Sequence, residues 1–105
     1  MSKIAIIVFK PRKDKDQELI ELMLENIPIL RKLGLVTYRE QIIAKAKDGS
    51  IVQIFEWVDE DSYERAQALP LVQEIWMKTS KISDFQKPIS IDEFQEPLSM
   101  FDTVF

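Results

Sequence analysis

The feature that most limits how this chain can fold is its N-terminal run KIAIIVFKP, residues 3–11. The run is uninterrupted, apolar and rich in β-branched residues, which predicts a β-strand. Side chains alternate along a strand, so both of its faces would be apolar and both would need cover. One face would carry Ile4, Ile6 and Val8, and the other would carry Ala5, Ile7 and Phe9.

A first helix is predicted after the polar break RKDKDQ. Asp14 with Gln17 three residues later is a capping-box pattern, which indicates a helix start. Pro28 predicts a bend or a frayed turn, and Gly34 predicts the C-terminal end. Apolar residues at helical spacing form one stripe, consisting of Leu19, Leu22, Met23, Ile27, Leu30 and Leu33.

Residues 35–58, LVTYREQIIAKAKDGSIVQIFEWV, form two extended runs joined at Asp48-Gly49. This dipeptide is typical of a two-residue hairpin turn, which would pair Lys47 with Ser50 and fix the register. One face of the hairpin would then carry Tyr38, Glu40, Ile42, Ala44, Ile51, Gln53, Phe55 and Trp57. The other would carry Thr37, Arg39, Gln41, Ile43, Val52, Ile54, Glu56 and Val58. This register places Glu40 opposite Trp57 and brings Arg39 within ion-pair reach of Glu56.

A second helical region follows the hairpin. Asp61 with Glu64 is another capping-box pattern, and Pro70 suits the first turn of a continuation. The inner face of that continuation would consist of Val72, Ile75, Trp76 and Thr79. The segment PISIDEF, residues 88–94, then predicts a short edge strand, because Pro88 begins it and polar residues alternate along it.

The predicted order is β-α-β-β-α-β, which is the ferredoxin-like pattern of the α+β class with an antiparallel four-stranded sheet. The first and third strands would lie at the centre of that sheet. A chain of 105 residues is the size of one domain, so we expect a single domain spanning 1–105.

The sheet is predicted to need a second cover. Two helices can shield only one face of four strands, and the first strand is apolar on both faces. A homodimer packed sheet against sheet would bury the other face. The alternative is that the C-terminal tail, residues 95–105, folds back over its own chain; the sheet argument favours the dimer.

The composition excludes several classes of function. The chain has no cysteine and no histidine, which removes disulfides, thiolate chemistry and the commonest metal and haem ligands. The net charge of −4, without a basic stripe, argues against nucleic-acid binding. No run approaches the roughly 20 apolar residues of a membrane span, so a cytoplasmic protein is expected. The acids Asp59, Glu60 and Asp61 suit a helix start better than a metal site, and we expect no metal.

The aromatic face of the hairpin is the candidate binding wall, since tryptophan and tyrosine offer large apolar surfaces with a polar tip. Glu40 would be the only ionisable group on it, and burial would raise the pKa of that carboxyl, making Glu40 a candidate proton acceptor. The alternative is that Glu40 points into solvent from an edge strand. Gln67 could bind a ligand or lie at the edge of the apolar stripe.

The chain resembles the antibiotic-biosynthesis-monooxygenase-like (ABM) family. The resemblance rests on IFEWVDEDSYERA followed by ALPLVQEIW, and it extends from Lys3 to about Phe94. It implies a dimeric α+β barrel that holds a planar aromatic molecule between sheet and helices, with Trp57 in the pocket wall. Some members oxidise phenols or quinols with O₂ and without a cofactor, and others degrade haem. Gln67 stands where many relatives carry a histidine, which argues against haem degradation.

The resemblance and the residues together give three hypotheses. The first is a cofactor-independent monooxygenase of a small phenol- or quinol-type substrate. Its catalytic residues would be Glu40, Tyr38 and Gln67, and its ring-binding residues would be Phe9, Phe55, Trp57 and Trp76. The second is a non-catalytic small-molecule-binding or stress-related dimer of the same fold, and the third is a structural dimer with a filled core.

Overall fold

The computed structural model describes all residues, Met1–Phe105, as one α+β unit with an antiparallel five-stranded sheet. The strands are β1 (Lys3–Pro11), β2 (Ile42–Lys45), β3 (Ile51–Trp57), β4 (Ser83–Gln86) and β5 (Asp102–Thr103). The helices are α1 (Asp16–Lys32), α2 (Ser62–Gln67) and α3 (Pro70–Ile82), and two short 3₁₀ turns span Pro88–Ser90 and Asp92–Gln95. The spatial order is β4-β1-β3-β2-β5, which confirms the α+β class and the interior position of β1 and β3. The predicted number of four strands is wrong, because residues 102–103 pair with β2 and add a fifth.

The first helix forms and ends where predicted, but the predicted apolar stripe is wrong at Leu33, which follows the helix and is 42% exposed. The helix continues through Pro28 to Lys32 without a frayed turn, and Gly34 follows it at φ 74°. The predicted capping box is wrong, because the residue before the helix is Lys15 and no side chain caps it. Asp14 lies one residue earlier, in a turn at φ 61°, so its carboxylate takes no part in the helix start. The buried residues of α1 are Leu19, Ile20, Met23, Ile27 and Leu30.

The hairpin turn has three residues rather than two, so the predicted register is wrong by one position. The Ala46 N–H donates to the Ser50 carbonyl at 2.9 Å, and the Gly49 N–H donates to the Ala46 carbonyl at 3.0 Å. Gly49 has φ 90°, a conformation that glycine adopts without strain. Ile42 therefore pairs with Ile54. Because a slip of one residue reverses a strand's faces, the predicted division of side chains between the two faces is also wrong.

The chain leaves the sheet between Val36 and β2. Val36 makes a single bridge to Trp57, and pairing resumes only at Ile42. The Arg31 side chain holds this excursion by donating to the Thr37 carbonyl at 3.0 Å. Residues 37–41 therefore form a loop where an extended strand was predicted, with Tyr38, Arg39 and Glu40 exposed and Gln41 buried.

The second helical region follows the prediction except at its start. Asp59, rather than Asp61, receives the hydrogen bonds there: its Oδ1 accepts from the Asp61 N–H at 2.9 Å and from the Ser62 hydroxyl at 3.0 Å. Pro70 is the first residue of α3, as predicted. Val72 is buried on the inner face of that helix.

The last strand of the predicted fold lies elsewhere. Residues 88–94 do not form a strand; they form most of the two 3₁₀ turns, and β4 at Ser83–Gln86 pairs with β1 instead. The reason is that α3 leads directly into extended backbone, with Ser83 at φ −154° and ψ 162°. The chain thus reaches the edge of β1 before Pro88.

The two faces of the sheet have different covers. The odd-numbered residues of β1 and β3 face the helices, whereas the even-numbered residues face the C-terminal tail of the same chain. Ile91 is buried at 2% exposure against this second face, and β5 extends the sheet beyond β2. The tail covers only part of the face, because Ile4, Ile6 and Ile42 remain about half exposed. No helix combines the length and the apolar character that crossing a membrane would require.

Candidate functional site

A cavity of about 780 Å³ lies between the odd-numbered face of the sheet and the helices. Eleven of its seventeen lining residues are hydrophobic, and the volume falls in the range of pockets that enclose small organic ligands. The sheet contributes Ala5, Ile7, Phe9, Gln53, Phe55, Trp57, Ser83, Asp84 and Phe85. The helices contribute Leu22, Met23, Asn26, Leu30, Tyr63, Trp76, Thr79 and Ser80.

One wall of the cavity is a continuous row of aromatic rings. The ring centroids of Phe55 and Trp57 are 5.0 Å apart, those of Trp57 and Tyr63 are 6.0 Å apart, and those of Tyr63 and Trp76 are 5.8 Å apart. Such spacings are typical of favourable edge-to-face and tilted contacts. This row gives a planar ligand an extended apolar surface on which to stack.

The structure places the predicted ring-binding residues together. Phe9, Phe55, Trp57 and Trp76 all line the cavity, although they come from two strands and a helix. Phe9 lies at the other side from the aromatic row, where its ring is 5.3 Å from that of Phe85.

The three residues predicted to be catalytic lie outside the cavity. Glu40 and Tyr38 are exposed residues of loop 37–41, and Tyr38 is 88% exposed. The prediction that Glu40 lies opposite Trp57 on the aromatic face is wrong, because that position pairs with Val36. Gln67 is exposed at the end of α2, and only its main-chain carbonyl is engaged, by the Gln73 side chain at 2.6 Å.

Two buried glutamines form a hydrogen-bonded relay from the cavity to α1. Gln53 Nε2 donates to Gln41 Oε1 at 2.9 Å, and Gln41 Nε2 donates to the Met23 carbonyl at 3.2 Å. Gln53 is 4% exposed and lines the cavity. Its own Oε1 accepts no hydrogen bond, so it is a polar group available to a ligand. Sequence reasoning missed this role, although Gln53 is the one polar residue in the middle of IVQIF.

Asn26 is the second uncommitted amide of the cavity. Its Oδ1 is buried and has no hydrogen-bond partner. Leaving a buried acceptor unpaired costs about 1–3 kcal/mol, so a native structure rarely does so without a reason. The signal in the sequence was a polar residue inside the apolar stripe of α1, three positions after Met23 and four before Leu30.

The cavity has few ionisable groups. Tyr63 and Asp84 are the only ones among its lining residues, and Asp84 Oδ1 lies 3.2 Å from Arg12 Nη2. The hydroxyls of Thr79, Ser80 and Ser83 donate to main-chain carbonyls of α3. Asp84 is therefore the one carboxylate in the lining, paired through Oδ1, and the lining contains no amine.

The acidic run 59–61 has a structural role. Hydrogen bonds from Arg65 and from Ser62 hold the pKa of the Asp59 carboxyl below its usual value, and Arg65 Nη1 lies 3.2 Å from Asp59 Oδ1. Nowhere in the structure do three or more Asp, Glu, His or Cys side chains converge in a way that could hold a metal ion.

The predicted ion pair on the opposite face of the sheet is confirmed. Arg39 Nε lies 3.2 Å from Glu56 Oε1, and the Glu56 side chain is only 12% exposed. Thr37 donates to the same oxygen at 2.8 Å, and Ser2 donates to Oε2 at 2.9 Å. These hydrogen bonds, that from Thr37 first, lower the pKa of Glu56.

Comparison with known proteins gives a likeness of fold. Neither family models nor the sequences of curated proteins match this chain. Among solved structures, the chain is similar to SnoaB from Streptomyces nogalater, described as a cofactor-independent oxygenase, with a TM-score of 0.62 and 15% identity over 79% of this chain and 85% of that one. A single-residue variant of SnoaB gives the same TM-score and coverage at 19% identity. At this level of identity the likeness shows that the fold is shared.

Proposed function

We propose that this protein is a cofactor-independent oxygenase of a planar aromatic substrate that carries a ring hydroxyl. The observation that carries the proposal is the cavity of about 780 Å³ with its row of aromatic rings and its uncommitted amide oxygen on Gln53. A planar molecule would stack on the aromatic row, while the amide would orient its hydroxyl. The shared fold with SnoaB and the ABM-like motifs support this reading.

The reaction needs only the substrate and O₂. The ring hydroxyl first loses its proton to Asp84, the one carboxylate of the lining, or to water. The ionised ring then gives one electron to O₂, and the resulting radical pair joins to form a peroxide at a ring carbon, which takes a proton back. Cleavage of the O–O bond with loss of the ring hydrogen then leaves a carbonyl and releases water. One oxygen atom enters the product, the other leaves in water, and the substrate supplies both electrons. The contribution of the protein is to hold the ring, exclude water and orient the hydroxyl.

The cavity restricts which substrates can react. Its lining contains no amine and one carboxylate, Asp84, whose Oδ1 is ion-paired with Arg12. The amide oxygens of Gln53 and Asn26 can hold a neutral hydroxyl but do not take up its proton, so the substrate must itself be acidic enough to lose that proton to Asp84 or to water. This favours polycyclic phenols and quinols, whose hydroxyl groups are more acidic than that of a simple phenol.

Oxygen uptake with a panel of polycyclic phenols tests the proposal. The wild-type protein should consume one O₂ for each quinone formed, and Trp57→Leu should slow uptake at least about tenfold by removing a central ring of the wall. Glu64→Gln is the matched control, since Glu64 is exposed on α2 and does not line the cavity. Failure of every substrate in the panel, or equal rates for both variants, would refute the proposed activity.

A non-catalytic binding function is the second candidate. The scarcity of proton acceptors in the cavity favours it, because Asp84 is the one carboxylate there and ligand binding needs no base. In that case polycyclic phenols would quench the fluorescence of Trp57 and Trp76 without oxygen uptake. The cavity itself argues against the third hypothesis, a filled core.

A homodimer remains part of the proposal. Ile4, Ile6 and Ile42 form an exposed apolar patch, called here the open patch, on the sheet face that the tail does not cover. We propose that a second copy of the chain covers the open patch, since neighbouring apolar side chains of this size are seldom left in water.

A further inference from the structure

The direction of the glutamine relay is fixed at its α1 end. The Met23 carbonyl can only accept a hydrogen bond, so Gln41 must turn its NH₂ group towards it. The Gln41 oxygen then faces Gln53, which must present its own NH₂ group in turn. The atom left over at the cavity end of the relay is Gln53 Oε1, which is an acceptor.

A second acceptor lies near the same turn of α1. Asn26 follows Met23 by three residues, which places the two on one side of the helix, and both line the cavity. The Asn26 side chain makes no hydrogen bond, and its Oδ1 is buried without a donor. The relay connects Gln53 to Met23, so both amides belong to residues that line the cavity at this part of α1.

We infer that Gln53 and Asn26 select ligands by the direction of their hydrogen bonds, so that the cavity takes a ring bearing hydroxyl donors and rejects the same ring bearing only acceptors. The inference rests on the proposed function where it concerns turnover. There it has a further consequence: oxidation of a ring C–H to a carbonyl, with the hydroxyl also becoming a carbonyl, turns the donor of the substrate into an acceptor. The product then faces the amide oxygens without a proton between them, which promotes its release.

Calorimetric titration without O₂ tests the selection separately from catalysis. The probes are 2-naphthol, its methyl ether 2-methoxynaphthalene, and 1,4-naphthoquinone, which share a two-ring skeleton but differ in hydrogen-bond donors. The wild-type protein should bind the naphthol about tenfold more tightly than the ether or the quinone, the effect expected for one satisfied hydrogen bond.

Substitutions in the relay separate an orienting role from a packing role. Gln53→Met keeps the volume but removes the amide at the end of the relay, so most of the preference for the naphthol over the ether should be lost. Gln41→Met leaves Gln53 in place but free to rotate, so affinity for the quinone should rise while affinity for the naphthol falls. A packing role would weaken all three probes together. Asn26→Leu, which does not disturb the relay, should fold well and lose part of the preference.

Each outcome bears on the inference. Equal binding of the three probes by the wild type would overturn it, and so would binding of none of them. Selective binding of the naphthol without oxygen uptake would uphold the inference and refute the oxygenase. Oxygen uptake without selective binding of the naphthol would uphold the oxygenase and overturn the inference.

Discussion

Replacing Asn26 by leucine should make the protein more stable while weakening its binding of ligands. The Asn26 Oδ1 is buried and unpaired, and an unsatisfied acceptor costs about 1–3 kcal/mol. Leucine removes that cost and is also a better helix former in the interior of α1, by a few tenths of a kcal/mol. The neighbouring cavity leaves room for the new methyl groups. We therefore expect the free energy of unfolding to rise by about 1–3 kcal/mol.

Urea and thermal unfolding measure this change. For a domain of about 100 residues, each kcal/mol raises Tm by roughly 4–8 °C. The matched control is Gln41→Leu, which removes a buried amide that is fully engaged. It should lower stability by about 1–3 kcal/mol, because the Met23 carbonyl and the Gln53 amide then lose their partners.

The contrast between the two amides is the test. A destabilised Asn26→Leu protein would show that the Asn26 amide is satisfied in solution, and the argument for a ligand-directed acceptor on α1 would fail. If Asn26→Leu and Gln41→Leu change the free energy of unfolding equally, the Asn26 amide is likewise satisfied in solution. Stabilisation without any loss of naphthol affinity would leave the structural reasoning intact but remove Asn26 from the binding site.

Four further predictions concern the turn, the acid response, the assembly and the loop. Gly49→Ala should cost about 1 kcal/mol in urea unfolding, since φ is 90° there. The pKa of Glu56 is lowered in the folded protein, so its ionised carboxylate stabilises the fold above the ordinary pKa near 4.5, and this stabilisation is lost as pH falls through the folded-state pKa. Glu56→Gln should therefore make the free energy of unfolding less dependent on pH in acid. Ile6→Glu should turn a sedimenting dimer into a monomer. Glu40→Gln should leave oxygen uptake unchanged, because Glu40 is exposed outside the cavity.

Each of these four has a contradicting result. If Gly49→Ala leaves the free energy of unfolding unchanged, the turn relaxes in solution. If Glu56→Gln leaves the acid dependence of stability unchanged, the hydrogen bonds to Glu56 are weak. A wild-type particle of 12.3 kDa at high concentration would exclude the dimer. Slower oxygen uptake by Glu40→Gln would mean that loop 37–41 closes over the cavity.

The sequence predicted the elements of the fold better than their register. Apolar alternation and helical spacing are local signals, and they identified β1, β3 and the inner faces of α1 and α3 correctly. The turn at Asp48-Gly49 was wrong because this dipeptide also suits a three-residue turn in which Gly49 takes a left-handed conformation. One extra residue in the turn was enough to exchange the faces of β2.

The errors at the site have tertiary causes. Loop 37–41 is held by Arg31 on a helix, a contact that no local pattern contains. Residues 88–94 alternate like a strand, yet Ile91 is buried because it packs on the sheet rather than within it. The aromatic wall could be predicted because Phe55 and Trp57 alternate on one strand and Trp76 falls on the inner face of the helical pattern. The relay could not be, since it joins residues 18 and 12 positions apart along the chain.

Strand β3 has a further consequence for how this protein can change over time. Its odd-numbered residues, such as Gln53, border the cavity, while its even-numbered residues, such as Val52, border the tail and lie on the side of the open patch. Because the two sets of side chains lie on opposite faces of one strand, we expect substitutions of its even-numbered residues to change association without changing ligand binding, and substitutions of its odd-numbered residues to do the opposite. Insertion of one amino acid within β3 is the exception, because it would exchange the side chains of the two faces and so disrupt both association and ligand binding.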